Sequence, residues 1–328
     1  MMSRFRAMRQ EDFKMNIRTI QERRKLQKEV HGIAAALLPF EADGRVAVAA
    51  FQRHLMATHR AGLWNAVNMD TGYVNYLTDA EKREVLDWTR EALGKDVPFV
   101  AGAYIEGRAG DVVSLYREEM DAIVKMGGIP ILFQTARLDG KASKEKVAMY
   151  QAACHGYPYV LGFELGRMFA PNGEIFDADT VQGLMDIPEL KGMKHSSLDR
   201  LVELERLAMR DTRRPDFRIY TGNDLGINMI EYGSDYLLGL ATFAPEKFAE
   251  RDRLWKTGDP AYYALSDALQ YLGNVAFREP VPAYKHSAAA FLHLTGRIPS
   301  MRTHVKSPER PTWEQEMLRS CAKRLGLV

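Results

Sequence analysis

From residue 31 onward the hydrophobic and polar positions fall into a repeating block pattern. Short, continuous apolar runs stand at 32–38 (GIAAALL), 63–69 (LWNAVNM), 97–103 (VPFVAGA), 129–133 (IPILF), 159–164 (YVLGFE), 190–194 (LKGMK), 217–221 (FRIYT) and 236–240 (YLLGL). Amphipathic segments of helical length separate them, as at 46–61, 79–92, 111–126, 143–155, 198–210 and 224–232. Runs that are apolar throughout fit strands buried on both faces. Strands alternating with helices call for a parallel sheet. Eight such units predict a closed (β/α)8 TIM barrel rather than an open doubly wound sheet. A dinucleotide-binding sheet would need a glycine fingerprint after its first strand, where this chain reads LLPFEADG.

Beyond the eighth run, 245–257 supplies the last barrel helix and starts at Pro245, a favoured first helical position. Further helical patterns at 260–275, 281–294 and 312–326 predict a C-terminal appendage. The expected organisation is a charged lead-in helix or arm over 1–30, a catalytic barrel over 31–257 and a helical extension over 258–328. In the lead-in, Phe5, Met8, Phe13, Ile17 and Ile20 recur at roughly helical spacing.

Composition narrows the function classes. A net charge of +2 on 328 residues gives no overall reason to expect nucleic acid or an anionic membrane as partner. Cys154 and Cys321 lie far apart and form no metal-spaced pair, which suits reduced thiols in the cytoplasm. No apolar run reaches membrane-spanning length.

In a barrel of this kind the chemistry lies at the C-terminal ends of the strands. Lys194, in ELKGMKHSS, ends the sixth strand. A lysine there either sends its head group out to water or loses hydration, so that its pKa falls and it becomes a nucleophilic amine. The second strand ends in Asp70, Thr71 and Gly72, where Thr71 with its own backbone N–H, next to Gly72, is a candidate clamp for a small carboxylate. Thr78 with Glu81 reads as a capping box opening the next helix. The fifth strand ends in Phe163 and Glu164; the carboxylate is a candidate acid/base partner for Lys194, or an ion-pair partner of Arg167. Gly222, Asn223 and Asp224 end the seventh strand, either admitting substrate or capping the seventh helix. No histidine and carboxylate set has metal spacing, and no phosphate-binding loop stands out, so neither metal nor cofactor is expected.

Taken in order, these motifs resemble the dihydrodipicolinate synthase and N-acetylneuraminate lyase superfamily of Schiff-base aldolases, across roughly residues 31–295. AALLPFEADGRV resembles the family's entry strand and Thr-Pro-Phe loop, with Leu38 where Thr is usual. DTGYVNYLTDAEKREV resembles Thr-Thr-Gly-Glu followed by Leu-Thr, and LKGMKHSSLD resembles the Gly-x-Lys strand. The resemblance implies Lys194 as the Schiff-base lysine, matches Thr71, Gly72, Gly222 and Asp224 to family positions, and favours a homo-oligomer (dimer or tetramer); Thr71, Gly72, Phe163, Gly222 and Asn223 are the residues expected around the substrate. It also marks departures. The family's strand-five tyrosine, which relays protons, falls at Gly162 or Phe163, while Asp70 and Tyr73 replace Thr and Glu.

The expected function is therefore a Schiff-base aldolase or dehydratase for a 2-oxo acid or related small carbonyl compound, distinct from dihydrodipicolinate synthase itself. Lys194 is the expected nucleophile, with Glu164 or Asp70 moving protons. The alternatives are a catalytically retired barrel acting as a small-molecule binding or regulatory protein, and a barrel using Glu164 and Asp70 without the lysine.

Overall fold

The computed structural model of the protein describes residues 17–328. Eight parallel strands close into one barrel in chain order. They are β1 (Gly32–Ala35), β2 (Trp64–Val67), β3 (Phe99–Ala103), β4 (Gly128–Leu132), β5 (Val160–Leu165), β6 (Leu190–Ser196), β7 (Arg218–Thr221) and β8 (Asp235–Leu238). Every one overlaps an apolar run read from the sequence. The reason is steric and solvational: one face of each strand fills the barrel and the other meets a helix, so neither face tolerates exposed polarity.

Two apolar layers result. Ile33, Ala66, Val100, Ile131, Leu161 and Leu237 fill the barrel. Ala34, Val67, Ala101, Leu132, Met193 and Leu238 belong to the layer beneath the helices. That alternation decides where the chemistry of β6 points. Lys194 pairs with Phe163 of β5 and Tyr220 of β7, whereas His195 pairs with Glu164 and Thr221. Phe163 and Tyr220 belong to the barrel interior, so Lys194 faces inward. His195 and Glu164 face the helices.

The helices are α1 (Ile17–Glu22), α2 (Val48–Ala61), α3 (Asp79–Leu93), α4 (Val112–Lys125), α5 (Ser143–Cys154), α6 (Ala178–Met185), α7 (Arg200–Arg213) and α8 (Pro245–Thr257), followed by α9 (Ala261–Ala276), α10 (Tyr284–Leu294) and α11 (Glu314–Arg324). The capping box opening α3 forms as read: Thr78 N–H donates to Glu81 Oε2 at 2.7 Å, and Glu81 N–H to Thr78 Oγ1 at 3.3 Å.

Three details differ from the block pattern. Of the lead-in helix over 1–30, only Ile17–Glu22 is helical among the described residues; Phe5, Met8 and Phe13 lie outside them. The unit after β5 carries α6, which the pattern did not single out. This helix has eight residues and an internal Gly183, a weak helix former. The glycine is there for packing, since a Cβ would lie 2.5 Å from Val147 of α5. Finally, 224–232 forms a 3-10 turn over Ile227–Tyr232 rather than an α-helix.

The appendage folds back onto the barrel. Ser300 donates to the carbonyl of Phe40 at 2.7 Å and Arg302 to that of Ala42 at 2.8 Å, tying the linker after α10 to the loop after β1. Helix α10 carries Tyr284 and Lys285 to the turn after β2. No helix among the described residues is long and apolar enough to cross a membrane.

Candidate active site

Lys194 stands inside the mouth of the barrel with 8% of its surface exposed. Its Nζ lies 4.7 Å from the centroid of the Phe163 ring, and it forms no hydrogen bond or ion pair among the described residues. Burial brings its pKa down from 10.5 to about 8, against the upward pull of the Asp224 and Asp70 charges. An ammonium stripped of water is costly, and here its loss of a proton is the remedy. The neutral amine is therefore a far larger fraction near neutral pH than for an ordinary lysine.

Gly222 makes room for this side chain. A Cβ at that position would collide with Ser196 Oγ and lie 2.6 Å from Lys194 Cε. Two residues on, Asp224 turns back toward the lysine with 4% exposure, and its Oδ1 accepts the Leu240 N–H at 2.7 Å. Burial raises its carboxyl to about 7, although the Leu240 amide and the Lys194 charge oppose the rise. Asp224 is thus a buried carboxyl held above its ordinary range within electrostatic reach of Lys194, which suits an acid/base group near a nucleophile.

Asp70, Thr71 and Gly72 form a 3-10 turn directly after β2. Gly72 packs so closely that a Cβ would sit 3.2 Å from the Ala36 carbonyl. Thr71 Oγ1 lies 2.9 Å from the hydroxyl of Tyr284, which in turn donates to Asp70 Oδ2 at 2.9 Å. Lys285 donates to the other carboxylate oxygen of Asp70, also at 2.9 Å. Gly239, just beyond β8, permits this gathering: its Cβ would come within 3.2 Å of both Tyr284 and Thr71. Tyr284 is held by a parallel stack on Phe277, with centroids 4.4 Å apart. Burial pushes its hydroxyl well above the usual tyrosine range, and the Asp70 charge adds to the rise. It remains a hydrogen-bond donor.

Glu164 does not face Lys194. Its carboxylate lies outside the barrel wall, fully buried, 2.5 Å from His195 Nδ1 and 3.0 Å from Arg206 Nε, and it accepts the Phe176 N–H at 2.9 Å. Burial alone would raise its pKa, but His195 and Arg206 hold it well below the ordinary glutamate range. The pairing with Arg167 does not form either, since Arg206 takes that place. The physical reason is the unbroken alternation of β5, in which Leu161, Phe163 and Leu165 fill the barrel and Glu164 falls on the helix side; the register shift beside Val160 and Leu161 adds one residue to β6 and so turns Lys194 inward. Counted straight on from the Val160–Leu190 pair, Glu164 would meet Lys194; with the shift it meets His195.

Of the other sequence candidates, Phe163 is buried beneath the lysine. Asn223 is buried too, but its Oδ1 is used by the Leu225 N–H and its own N–H by Thr221, so it shapes the turn. Neither it nor Asp224 caps the next turn, which starts from Gly226. A cleft of about 80 Å³ opens at Asp70, with Asn75, Tyr104, Phe133 and Asn172 also on its walls. The sequence reading missed Tyr284 and Lys285. Their signal was a Tyr-Lys pair opening an otherwise small and apolar helix, YKHSAAAFLHL.

Among known proteins, the chain is 28% identical to the 4-hydroxy-tetrahydrodipicolinate synthase of Stenotrophomonas maltophilia over 214 residues, 64% of this chain and 68% of the relative. No protein-family model matches the chain. A monomeric dihydrodipicolinate synthase variant shares its fold with a TM-score of 0.77 at 17% identity, covering 91% of this chain and 97% of the other. The Thermotoga maritima dihydrodipicolinate synthase does so at 0.76 and 17%, covering 92% and 100%. So does an Escherichia coli K12 prophage protein of the dihydrodipicolinic acid synthase family, solved with pyruvate, at 0.76 and 15%, covering 91% and 99%. The likeness to these solved structures is one of fold and covers nine-tenths of the chain.

Proposed function

We propose, from the likeness to that superfamily, that this protein is a Schiff-base lyase, an aldolase or dehydratase for a 2-oxo acid or related small carbonyl compound. The observation that carries the reading is Lys194: one amine inside the mouth of a barrel, with its pKa lowered to about 8 and no partner occupying its Nζ among the described residues. The Nζ lone pair attacks the carbonyl carbon, and the carbonyl π pair moves to oxygen. That oxygen leaves as water, carrying one proton from Nζ and one from an acid of the site. The resulting iminium draws electrons from the substrate, so a carbon–carbon or carbon–oxygen bond beta to it can break.

Asp224, with a carboxyl near 7, and Asp70, hydrogen-bonded by Tyr284, are the groups proposed to move protons. Thr71 is proposed to bind the far end of the substrate. Glu164 has no part in this scheme, which leaves the lysine-independent carboxylate pair without one member. With the Tyr284 hydroxyl reaching the site from α10 rather than from β5, the proton path would differ from the family's, and the reading keeps the activity distinct from dihydrodipicolinate synthase. A homo-oligomer stays part of the proposal, on the family likeness. The test is reduction with borohydride in the presence of a panel of 2-oxo acids and aldehydes, followed by peptide mass spectrometry. A reduced adduct on Lys194, lost in Lys194→Ala, supports the reading; an adduct unaffected by the substitution, or none, removes it.

A further inference from the structure

We propose that the preferred substrate is an uncharged, hydroxyl-bearing aldehyde or ketone rather than a free 2-oxo acid, an assignment that rests on Lys194 forming the imine. The turn after β2 supports it through the order in which its charges are stacked. The Asp70 side chain is 23% exposed at the lip, while Lys285, which neutralises it, is 2% exposed behind it with its Nζ already 2.9 Å from Asp70 Oδ1. A ligand reaching Thr71 therefore meets carboxylate oxygen before it meets ammonium. The Thr71 hydroxyl is itself engaged: Tyr284 gives its proton to Asp70 Oδ2 and so accepts from Thr71 Oγ1.

A carboxylate arriving there would place two anions side by side, and like charges at contact distance repel. A hydroxyl arriving there donates to Asp70, and hydrogen bonds to an ionised acceptor are the stronger kind. The rest of the cleft points the same way. Asp70 is the one charged residue on its described walls; Asn75, Tyr104 and Asn172 offer neutral donors and acceptors, and Phe133 and Phe169 offer apolar faces. Amide and phenol groups above aromatic rings suit the hydroxyls and C–H faces of a short polyol chain. They offer no cation for a second anionic group.

The experiment compares dihydroxyacetone with pyruvate on the wild-type protein. Each is incubated with borohydride at equal concentration, and the reduced adduct on the Lys194 peptide is measured against labelling of free N-acetyl-lysine by the same compound. The proposal expects normalised labelling by dihydroxyacetone to exceed that by pyruvate by about tenfold or more, the equivalent of about 1.4 kcal/mol. Asp70→Asn is expected to narrow that ratio by about tenfold, because the repelling charge is gone; the wild-type ratio decides alone if the variant does not fold. Labelling by pyruvate equal to or above that by dihydroxyacetone overturns the substrate assignment and leaves the lysine chemistry standing. No label on Lys194 with either compound overturns both.

Discussion

The hydroxyl of Tyr284 lies 2.9 Å from Oγ1 of Thr71, across 213 residues of chain. One residue belongs to the turn closing the second barrel unit and the other to the first turn of α10 in the C-terminal appendage. The appendage is thus part of the candidate site, and the same tyrosine continues to Asp70 at 2.9 Å. Tyr284→Phe keeps the stack on Phe277 and removes only the hydroxyl. A single neutral hydrogen bond contributes about 1 kcal/mol net, so thermal stability is expected to change little. A positioned acid/base group contributes about 10²-fold or more; imine formation in single-turnover trapping is expected to slow by that order. Unchanged trapping would confine Tyr284 to packing.

Gly222 gives a steric prediction. Gly222→Ala drives a methyl group into Ser196 Oγ and to 2.6 Å from Lys194 Cε. Overpacking of a filled site costs about 1–3 kcal/mol, and the relief available here is to swing the lysine away from the barrel axis. The expected outcome is a folded protein by circular dichroism with borohydride labelling of Lys194 nearly abolished. Normal labelling would mean that the lysine has a second productive position.

The pH dependence has a definite sign. Only the neutral amine attacks a carbonyl, and Lys194 is deprotonated above its pKa, which burial brings to about 8. The rate of imine formation should rise as pH climbs through about 8, well below the range of an ordinary lysine. The Asp224 charge pulls that value upward, so Asp224→Asn is expected to move the midpoint to lower pH. An Asn at this place can still accept the Leu240 N–H, which keeps the local fold. A midpoint that moves up, or stays, would show that Asp224 does not act on the lysine.

Glu164 is expected to behave as a structural residue. Its carboxylate satisfies buried His195 and Arg206 together, and removing one partner of a buried ion pair costs about 3–5 kcal/mol. Glu164→Gln should lower the denaturant midpoint strongly while the protein that remains folded still labels at Lys194. Each of the two shifts sets its own sign with pH. Glu164 is held below its usual value, so its contribution is present above the unfolded carboxyl pKa and is lost as pH falls through the folded one. His195 is held above its usual value by Glu164 despite burial, so its contribution is present below the unfolded imidazole pKa and is lost as pH rises through the folded one. A variant that keeps full stability but loses labelling would instead return Glu164 to the chemistry.

The contrast between Lys194 and Glu164 marks how far residues alone carry a site. The eight apolar runs locate every strand, because burial on both faces leaves an unbroken apolar signature. Lys194 is legible for the same reason: a strand end inside a barrel is where a lone lysine stands out. Glu164 also ends a strand, but it falls on the helix side because Leu161, Phe163 and Leu165 take the barrel side of β5; the extra residue in β6 that brings Lys194 inward beside Phe163 is not announced in LKGMK. Tyr284 and Lys285 were hidden in a different way. Their helix was legible, yet their partners lie more than two hundred residues away, and only the closed barrel brings α10 against the β2 turn. The short helix α6 carries a weak helical signal because its Gly183 serves contact with Val147 rather than helix propensity.

The central claim is a covalent bond between Lys194 and a carbonyl carbon. The most direct measurement is a crystal of the wild-type protein soaked with dihydroxyacetone and with pyruvate, its electron density inspected at Nζ of Lys194. Continuous density is expected from Nζ into the ligand, with the substrate's outer hydroxyl at Asp70. Ligand density in the cleft that stops short of Nζ, or joins a different residue, would contradict it.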